Sequence, residues 1–468
     1  VQFRFPIPIP YENEDRFVPK KVPWRSWINS SLMAMKLLRE KMEQGGCSAV
    51  QIARFARRVE TFLNQDHAGI NESEIRPVEQ LVTLAEIEPL PDLLRRTVVL
   101  KLNGGLGTSM GLTGAKGLLT VKNGQDFYAI LLQQLRAVER YDRFRPPLLF
   151  MNSFSTQDDT ARRLSEMDFS QSLPWSFLQS RVPKVLDSGH PVEVDDRYAW
   201  CPPGHGDLYA SLLDSGLRDQ LLEAGYQYLF VSNIDNLGAA LDSRPLRYME
   251  ENNIPFLMEV THREEEDRKG GHLAWSLDGR LILREVAQCP PEDLPSFQDI
   301  NRHRYFNTNN LWVDLRAIDE SWTELPLIVN RKPVIPHEED SPKVIQLESA
   351  MGAAIGTVAG AGAIEVGRDR FFPVKTTNDL FAIRSDLYRL NEAQVLEATV
   401  DEVPGIDLDP KHYKMMNEFD ALVKGAPSLR ECTRLKVRGP VIFTSEDKLS
   451  GEVTLENQFE KPRGVAEL

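Results

Sequence analysis

Residues 102–111 read LNGGLGTSMG, and Lys116 follows after Gly114 and Ala115. Glycines let backbone amides close on an anion, and a lysine just beyond supplies countercharge, so this segment suits a phosphate-bearing ligand. A tight strand-to-helix turn accounts for the same residues. The ATPase phosphate loop is excluded, because the chain contains no Gly-Lys dipeptide. A dinucleotide fingerprint is excluded too: Gly105, Gly107 and Gly111 are spaced GxGxxxG rather than GxGxxG.

Three further runs could carry chemistry. Residues 200–207 read WCPPGHGD, where Pro202 and Pro203 stiffen the approach and Gly204 and Gly206 open the backbone around His205. That imidazole is placed to donate to an anion, although a lone histidine also serves as an ordinary packed residue. Residues 229–236, LFVSNIDN, form an apolar run ending in polar groups. Ligands of open α/β sheets sit beyond the carboxyl ends of such strands. Asp235 there suits Mg2+, a hard ion held by one or two carboxylates plus substrate phosphates; it equally suits a helix cap. Residues 370–377, RFFPVKTT, place Lys375 after a stiff apolar stretch, yet most lysines are solvated surface groups. Residues 262–269, HREEEDRK, read as a solvated charge run without a role.

The elements that must position these runs follow from periodicity. Residues 97–102 are a short β-rich run leading directly into the glycine loop. Phe127, Ile130, Leu131, Gln134, Leu135 and Val138 then mark one helix face, and residues 148–151 form a second buried strand. Residues 228–231 and 255–260 supply more strands. This βαβ rhythm predicts an α/β fold with a mixed, mostly parallel sheet covered by helices. Before it, Ile52, Phe55, Ala56, Val59 and Phe62 follow one helix face, and Gly45 and Gly46 punctuate the helical pattern that precedes them. After it, Val437, Phe443, Leu449 and Leu455 are each six residues apart among turn-rich segments, a spacing that suits a small β-helix or a few unrelated short strands. The expected division is a helical and loop-rich packing attachment at 1–95, a catalytic domain at 96–400 and a C-terminal region at 401–468.

Bulk properties narrow the function. A chain of 468 residues exceeds what one core organises, which suits a large domain with satellites. The formal charge of -14 opposes the phosphate backbone of nucleic acid, so no nucleic-acid partner is expected and any phosphate ligand needs a local positive site. Cys47, Cys201, Cys289 and Cys432 lie far apart and form no CxxC pair for zinc or redox chemistry. No apolar run is long enough to span a membrane, and the opening VQFR lacks the apolar core of a leader, so a soluble, cytoplasmic protein is expected.

Taken in order, the motifs closely resemble the eukaryotic-type UTP–glucose-1-phosphate uridylyltransferases, also called UDP-glucose pyrophosphorylases. The likeness spans roughly residues 50–400 and rests on the glycine loop with Lys116, PPGHGD at 202–207, SNIDN at 232–236, FNTNNLW at 306–312, IQLESAMGAAI at 345–355 and PVKTT at 373–377. It implies a Rossmann-like nucleotide-sugar transferase core, a smaller N-terminal part and a C-terminal left-handed β-helix. It further implies that the backbone of Leu102, Asn103, Gly104 and Gly105 holds the nucleotide, with Lys116 facing its phosphates. Gln179 would read uracil, whose mixed edge an amide matches. Gly204 would complete the base pocket, His205 and Asn233 would contact the sugar phosphate, and Asp235 would bind Mg2+. Asn309, Gly271 and Glu285 would read sugar hydroxyls, and Lys375 matches the lysine regarded as catalytic. Three positions depart from the family pattern: Ala115 and Gly117 replace a proline and a serine, and His272 replaces a threonine.

The implied reaction is in-line attack of a glucose 1-phosphate oxygen on the α-phosphorus of UTP, giving UDP-glucose and pyrophosphate with Mg2+ as cofactor. The attacking oxygen is already anionic, so positioning and charge stabilisation supply the catalysis, with Lys116 and Lys375 as the principal cations. UTP and glucose 1-phosphate are the expected partners, together with a second copy of the chain through the C-terminal region. One rival is the same chemistry on another sugar 1-phosphate; N-acetylhexosamine enzymes usually carry an arginine where this chain has Ser109 and Met110. Another is a non-catalytic nucleotide-sugar binder, against which the joint presence of Lys116, Asp235 and Lys375 argues.

Overall fold

The structure is a computed structural model that describes residues 24–64, 69–335, 338 and 340–468. The opening residues, read above against a leader peptide, lie outside these. Strand Thr97–Asn103 is buried along its whole length, as a strand covered on both faces must be. Helix Phe127–Asp142 starts where the Asp126 carboxylate accepts the Ala129 N–H at 2.8 Å. It turns Phe127, Ile130, Leu131 and Leu135 into the core, as its spacing predicts. Each such side chain removed from water contributes roughly 1.5–3 kcal/mol.

The central sheet is mixed. Its middle is parallel, in the order Ser176–Leu178, Leu148–Asn152, Thr97–Asn103, Tyr228–Asn233. The long strand Tyr305–Asp314 then runs antiparallel to Tyr228–Asn233 and to Phe256–His262, and Gly362–Glu365 joins the latter in parallel. Strands His272–Ser276 and Leu281–Arg284 form an antiparallel flank, which Ile75–Pro77 extends. Because Leu102 is paired with Asn233, the glycine loop and the SNIDN run leave the sheet side by side at its carboxyl edge.

Helices Trp24–Gln44 and Ala49–Leu63 pack on this core. The second carries a capping box between Ser48 and Gln51 and buries Ile52, Phe55, Val59 and Phe62 against Val182, Trp200, Ile345 and Leu347. At the other end, Gly405–Asp407, Ser428–Arg438 and Lys448–Glu456 pair in parallel, as do Val441–Ile442 and Arg463–Gly464. The hexad residues Val437, Phe443, Leu449 and Leu455 are all buried and share one apolar cluster with Val99, Leu131 and Phe381. No helix among the described residues is long and apolar enough to cross a membrane.

The charge run at 262–269 is exposed, as a solvated run must be, except at Arg263 and Asp267. Arg263 is buried and donates to the carbonyls of Phe297, His303, Asp267 and Arg268. Asp267 is buried and accepts from Arg368 at 2.6 Å. The Nη groups of Arg263 and the Asp267 carboxylate thus find protein partners both near and far in sequence, while Arg263 Nε finds none among the described residues.

Candidate functional site

Three elements meet where the glycine loop leaves the sheet. The Lys116 N–H donates to the Gly105 carbonyl at 3.2 Å, which folds the lysine back under the loop. Its ammonium then lies 2.5 Å from Asp235 Oδ2, with both side chains only 13% exposed. The Ile234 N–H donates to the Leu102 carbonyl, and the Val374 N–H to the Asp235 carbonyl at 3.1 Å, so RFFPVKTT is laced to SNIDN beside the loop. Asn103 contributes backbone alone, because its side-chain amide is spent inside a buried cluster with Tyr128, Asn152 and Thr160.

Two departures from the family pattern are explained by this packing. The Ala115 N–H donates to Asp159 Oδ2 at 2.9 Å, a bond a proline cannot make. A side chain at Gly117 would meet the Tyr128 ring at 2.5 Å, so serine does not fit without moving that ring.

Gln179 and Gly104 are brought together as expected for a base pocket. A Cβ at Gly104 would fall 2.2 Å from Gln179 Nε2, so the missing side chain is what lets the amide lie against the loop. Gly204 adopts a left-handed φ of +83°, and a Cβ there would sit 2.4 Å from the Ser349 carbonyl oxygen. The loop is zipped to that serine: the Ser349 N–H donates to the Pro203 carbonyl and the Gly206 N–H to the Ser349 carbonyl, both at 2.9 Å. His205 Nδ1 accepts the Met351 N–H at 3.1 Å. Burial holds this imidazole below its ordinary pKa, so the neutral ring carries its proton on Nε2, free to donate to an anion. Asp207 ties the two halves of the pocket, accepting the Ser180 N–H at 2.6 Å next to Gln179.

The sugar-reading candidates occupy the adjoining wall. The register between Phe256–His262 and Tyr305–Asp314 shifts at Met258 and Val260, a bulge that throws Asn309 into a left-handed φ of +58°. Its side chain accepts from Asn307 Nδ2 at 3.0 Å. A Cβ at Gly271 would meet the Glu285 carboxylate at 2.7 Å, so these two also meet. Burial pushes the Glu285 carboxyl up, and the nearby Lys375 ammonium draws it back down. Lys375 is exposed, with Nζ 5.5 Å from the Phe371 ring centroid, and its backbone N–H donates to Asp379 in the cap of helix Thr377–Arg384. His272 follows Gly271 directly, but its side chain is fully buried and stacks on His303 at 3.8 Å, so this departure concerns the support behind the wall.

Several supports carry no signature of their own in sequence. Asn236 accepts the Phe372 N–H and donates to Asn310 Oδ1 and the Arg370 carbonyl, stapling three motifs. Beneath them Arg370 pairs with the fully buried Glu259 at 2.6 Å, and Glu259 also accepts from Trp312 and Asn310. The only sequence signal is position inside the quoted runs; Glu259 lies in a strand that reads as apolar.

The site fits a magnesium ion held mainly by substrate oxygens. Asp235 Oδ1 is buried and has no hydrogen-bond partner among the described residues, leaving acceptor capacity beside the glycine loop. No group of three or more His, Cys, Asp or Glu side chains is gathered for a metal among them. One carboxylate completed by triphosphate is the coordination Mg2+ commonly takes.

The family model described as UTP–glucose-1-phosphate uridylyltransferase matches residues 52–450. The UTP–glucose-1-phosphate uridylyltransferase of Hordeum vulgare is 39% identical over 431 residues, covering 88% of this chain and 90% of its own. Among solved structures, the UDP-glucose phosphorylase of Trypanosoma brucei is 44% identical with a TM-score of 0.84, covering 92% of this chain and 97% of its own. A Leishmania major UDP-glucose pyrophosphorylase mutant in complex with UDP-glucose is 41% identical with a TM-score of 0.85, covering 92% and 96%. With this coverage and the motif residues assembled at one sheet edge, the chain belongs to the UTP–glucose-1-phosphate uridylyltransferase family.

Proposed function

We propose that the protein transfers a uridylyl group from UTP to glucose 1-phosphate, forming UDP-glucose and releasing pyrophosphate. The observation that carries this reading is the 2.5 Å Lys116–Asp235 pair set between the glycine loop and the Lys375 segment. It puts a cation and a metal-competent carboxylate where a triphosphate would cross the sheet edge. Gln179, against Gly104, would bind the uracil edge, with Gly204 as the opposite wall. The amides of residues 102–105 would orient the triphosphate, while His205 Nε2 and Asn233 would hold the incoming sugar phosphate in line. Asn309, Gly271 and Glu285 would read the sugar hydroxyls.

A phosphate oxygen of the sugar would form the new bond to the α-phosphorus as the bond to the pyrophosphate oxygen breaks. No proton need be removed, so the cations act electrostatically, and Lys116 and Lys375 would offset the charge of two approaching polyanions. Mg2+ bound at Asp235 would neutralise charge on the departing pyrophosphate. The parallel pairing and buried hexads of residues 428–456 support a left-handed β-helix there, which would serve self-association. We place the enzyme in the cytoplasm.

Pyrophosphate release measured over a panel of nucleoside triphosphates and sugar 1-phosphates tests the assignment. UTP with glucose 1-phosphate should be the fastest pair. Release with no pair would sink it, and a faster rate on a different sugar would reassign the substrate.

A further inference from the structure

The apolar stripe of helix Ala49–Leu63 marks it as a packing element, yet its polar face reaches the base pocket. Arg58 Nη1 donates to the Pro203 carbonyl at 3.3 Å, and Nη2 to Ser349 Oγ at 3.1 Å. Those two acceptors flank the bonds that zip the Gly204 and His205 loop to Ser349. The same helix sends Gln51 Nε2 to Ser180 Oγ at 3.4 Å, next to Gln179. It is itself pinned by Arg54, which pairs with Asp214 at 2.9 Å. Burial disfavours the charged form both of the guanidinium and of Asp207, which accepts the Ser180 N–H, and each group offsets part of that cost for the other. One side chain from the N-terminal part thus touches both segments that build one wall of the pocket.

We propose that Arg58 is a positioning residue for uridylyl transfer, holding the 203–205 loop and Ser349 in the register that shapes the base pocket and aims His205. The inference rests on the base-pocket reading above. A fork of donors on two backbone-linked acceptors fixes an angle as well as a distance, which neither lysine nor a water reproduces fully. Without it the loop keeps its zipper to Ser349 but loses the anchor that sets its height above Gln179.

The test compares Arg58→Ala, Arg58→Lys and Ser349→Ala with Arg57→Ala, a control on the exposed side of the same helix. Turnover, KM for both substrates, Mg2+·UTP affinity by calorimetry and Tm are measured on each. Arg58→Ala should raise the Kd and KM for UTP about tenfold, the scale of one lost charge-assisted contact. Arg58→Lys should recover part of this, Ser349→Ala should show a smaller rise, and Arg57→Ala should match the parent. A folded Arg58→Ala with UTP affinity within twofold of the parent overturns the proposal, whatever its Tm. If Arg58→Ala does not fold, unchanged UTP affinity in both Arg58→Lys and Ser349→Ala overturns it. A parent protein that binds UTP but forms no nucleotide sugar would end the functional reading while leaving the Arg58 test readable. A parent that does not bind UTP ends both.

Discussion

Lys116 and Asp235 stand 119 residues apart in sequence, yet the ammonium and the carboxylate share a 2.5 Å contact at the mouth of the parallel sheet. The pair is a neutral arrangement of two charges that a nucleotide would each claim: the lysine for phosphate, the carboxylate for a cation. Exchanging one partner for another costs less than exposing either charge alone, so under the proposed reading the contact would be a poised receptor site.

Asp235→Asn separates these roles. The amide keeps the shape and a bond to Lys116 but removes the anionic ligand. Turnover should fall on the order of 10²- to 10³-fold, as when one transition-state contact is lost, and the Mg2+ concentration for half-maximal rate should rise. Rates followed across a Mg2+ titration decide it: an unchanged midpoint would take the metal away from Asp235.

Lys375 makes the opposite kind of prediction, because it is exposed and contributes little packing beyond the Phe371 face. Lys375→Ala should leave Tm nearly unchanged while kcat drops on the order of 10²- to 10³-fold. Near-normal turnover by a folded variant would remove Lys375 from the catalytic set.

The Glu259–Arg370 pair below the site is a matter of stability. Arg370→Ala would strand a carboxylate that is 0% exposed, leaving it only Trp312 and Asn310 as donors. Removing one partner of such a pair costs roughly 3–5 kcal/mol, and urea unfolding should show it as a lower midpoint with an unchanged slope. A shift under about 1 kcal/mol would mean that the region relaxes to hydrate Glu259.

Periodicity makes the strand, glycine loop and helix at 97–142 legible, because each obeys a local rule that no distant contact overrides. The motif residues can be named for the same reason, since glycine, histidine and aspartate at strand ends carry their chemistry in their type. What sequence leaves dark works at long range. Arg58 acts on carbonyl and hydroxyl groups 145 and 291 residues away, and the partner that buries Asp267 lies 101 residues on. The backbone of Asn309 is hidden for a different reason: a strand read by alternation has no place for a left-handed residue, and only the pairing register reveals the bulge.

Lys101 gives a pH-dependent prediction whose sign follows from burial. It lies in strand Thr97–Asn103, 3% exposed, donating to Ser232 Oγ at 2.6 Å and to the Ala239 carbonyl, with the Phe230 ring 5.7 Å away. Burial lowers its pKa from 10.5 to about 7; Arg370 pushes it further down, while Asp235 and Glu259 oppose the shift. Between about pH 7 and 10 the unfolded chain therefore holds a proton that the native state has released, and native stability rises with pH. Below about pH 7 both states are protonated and the burial penalty is constant. Lys101→Met abolishes this titration. The stability difference, variant minus parent, should be flat from pH 5 to 6.5 and then fall by up to roughly 1.4 kcal/mol per pH unit towards pH 10. Methionine also leaves the Ser232 hydroxyl and the Ala239 carbonyl without their donor, but that offset does not vary with pH and cannot imitate the slope. Urea midpoints of both proteins across this range provide the measurement, and a difference that stays level throughout would show that Lys101 remains charged in the native core.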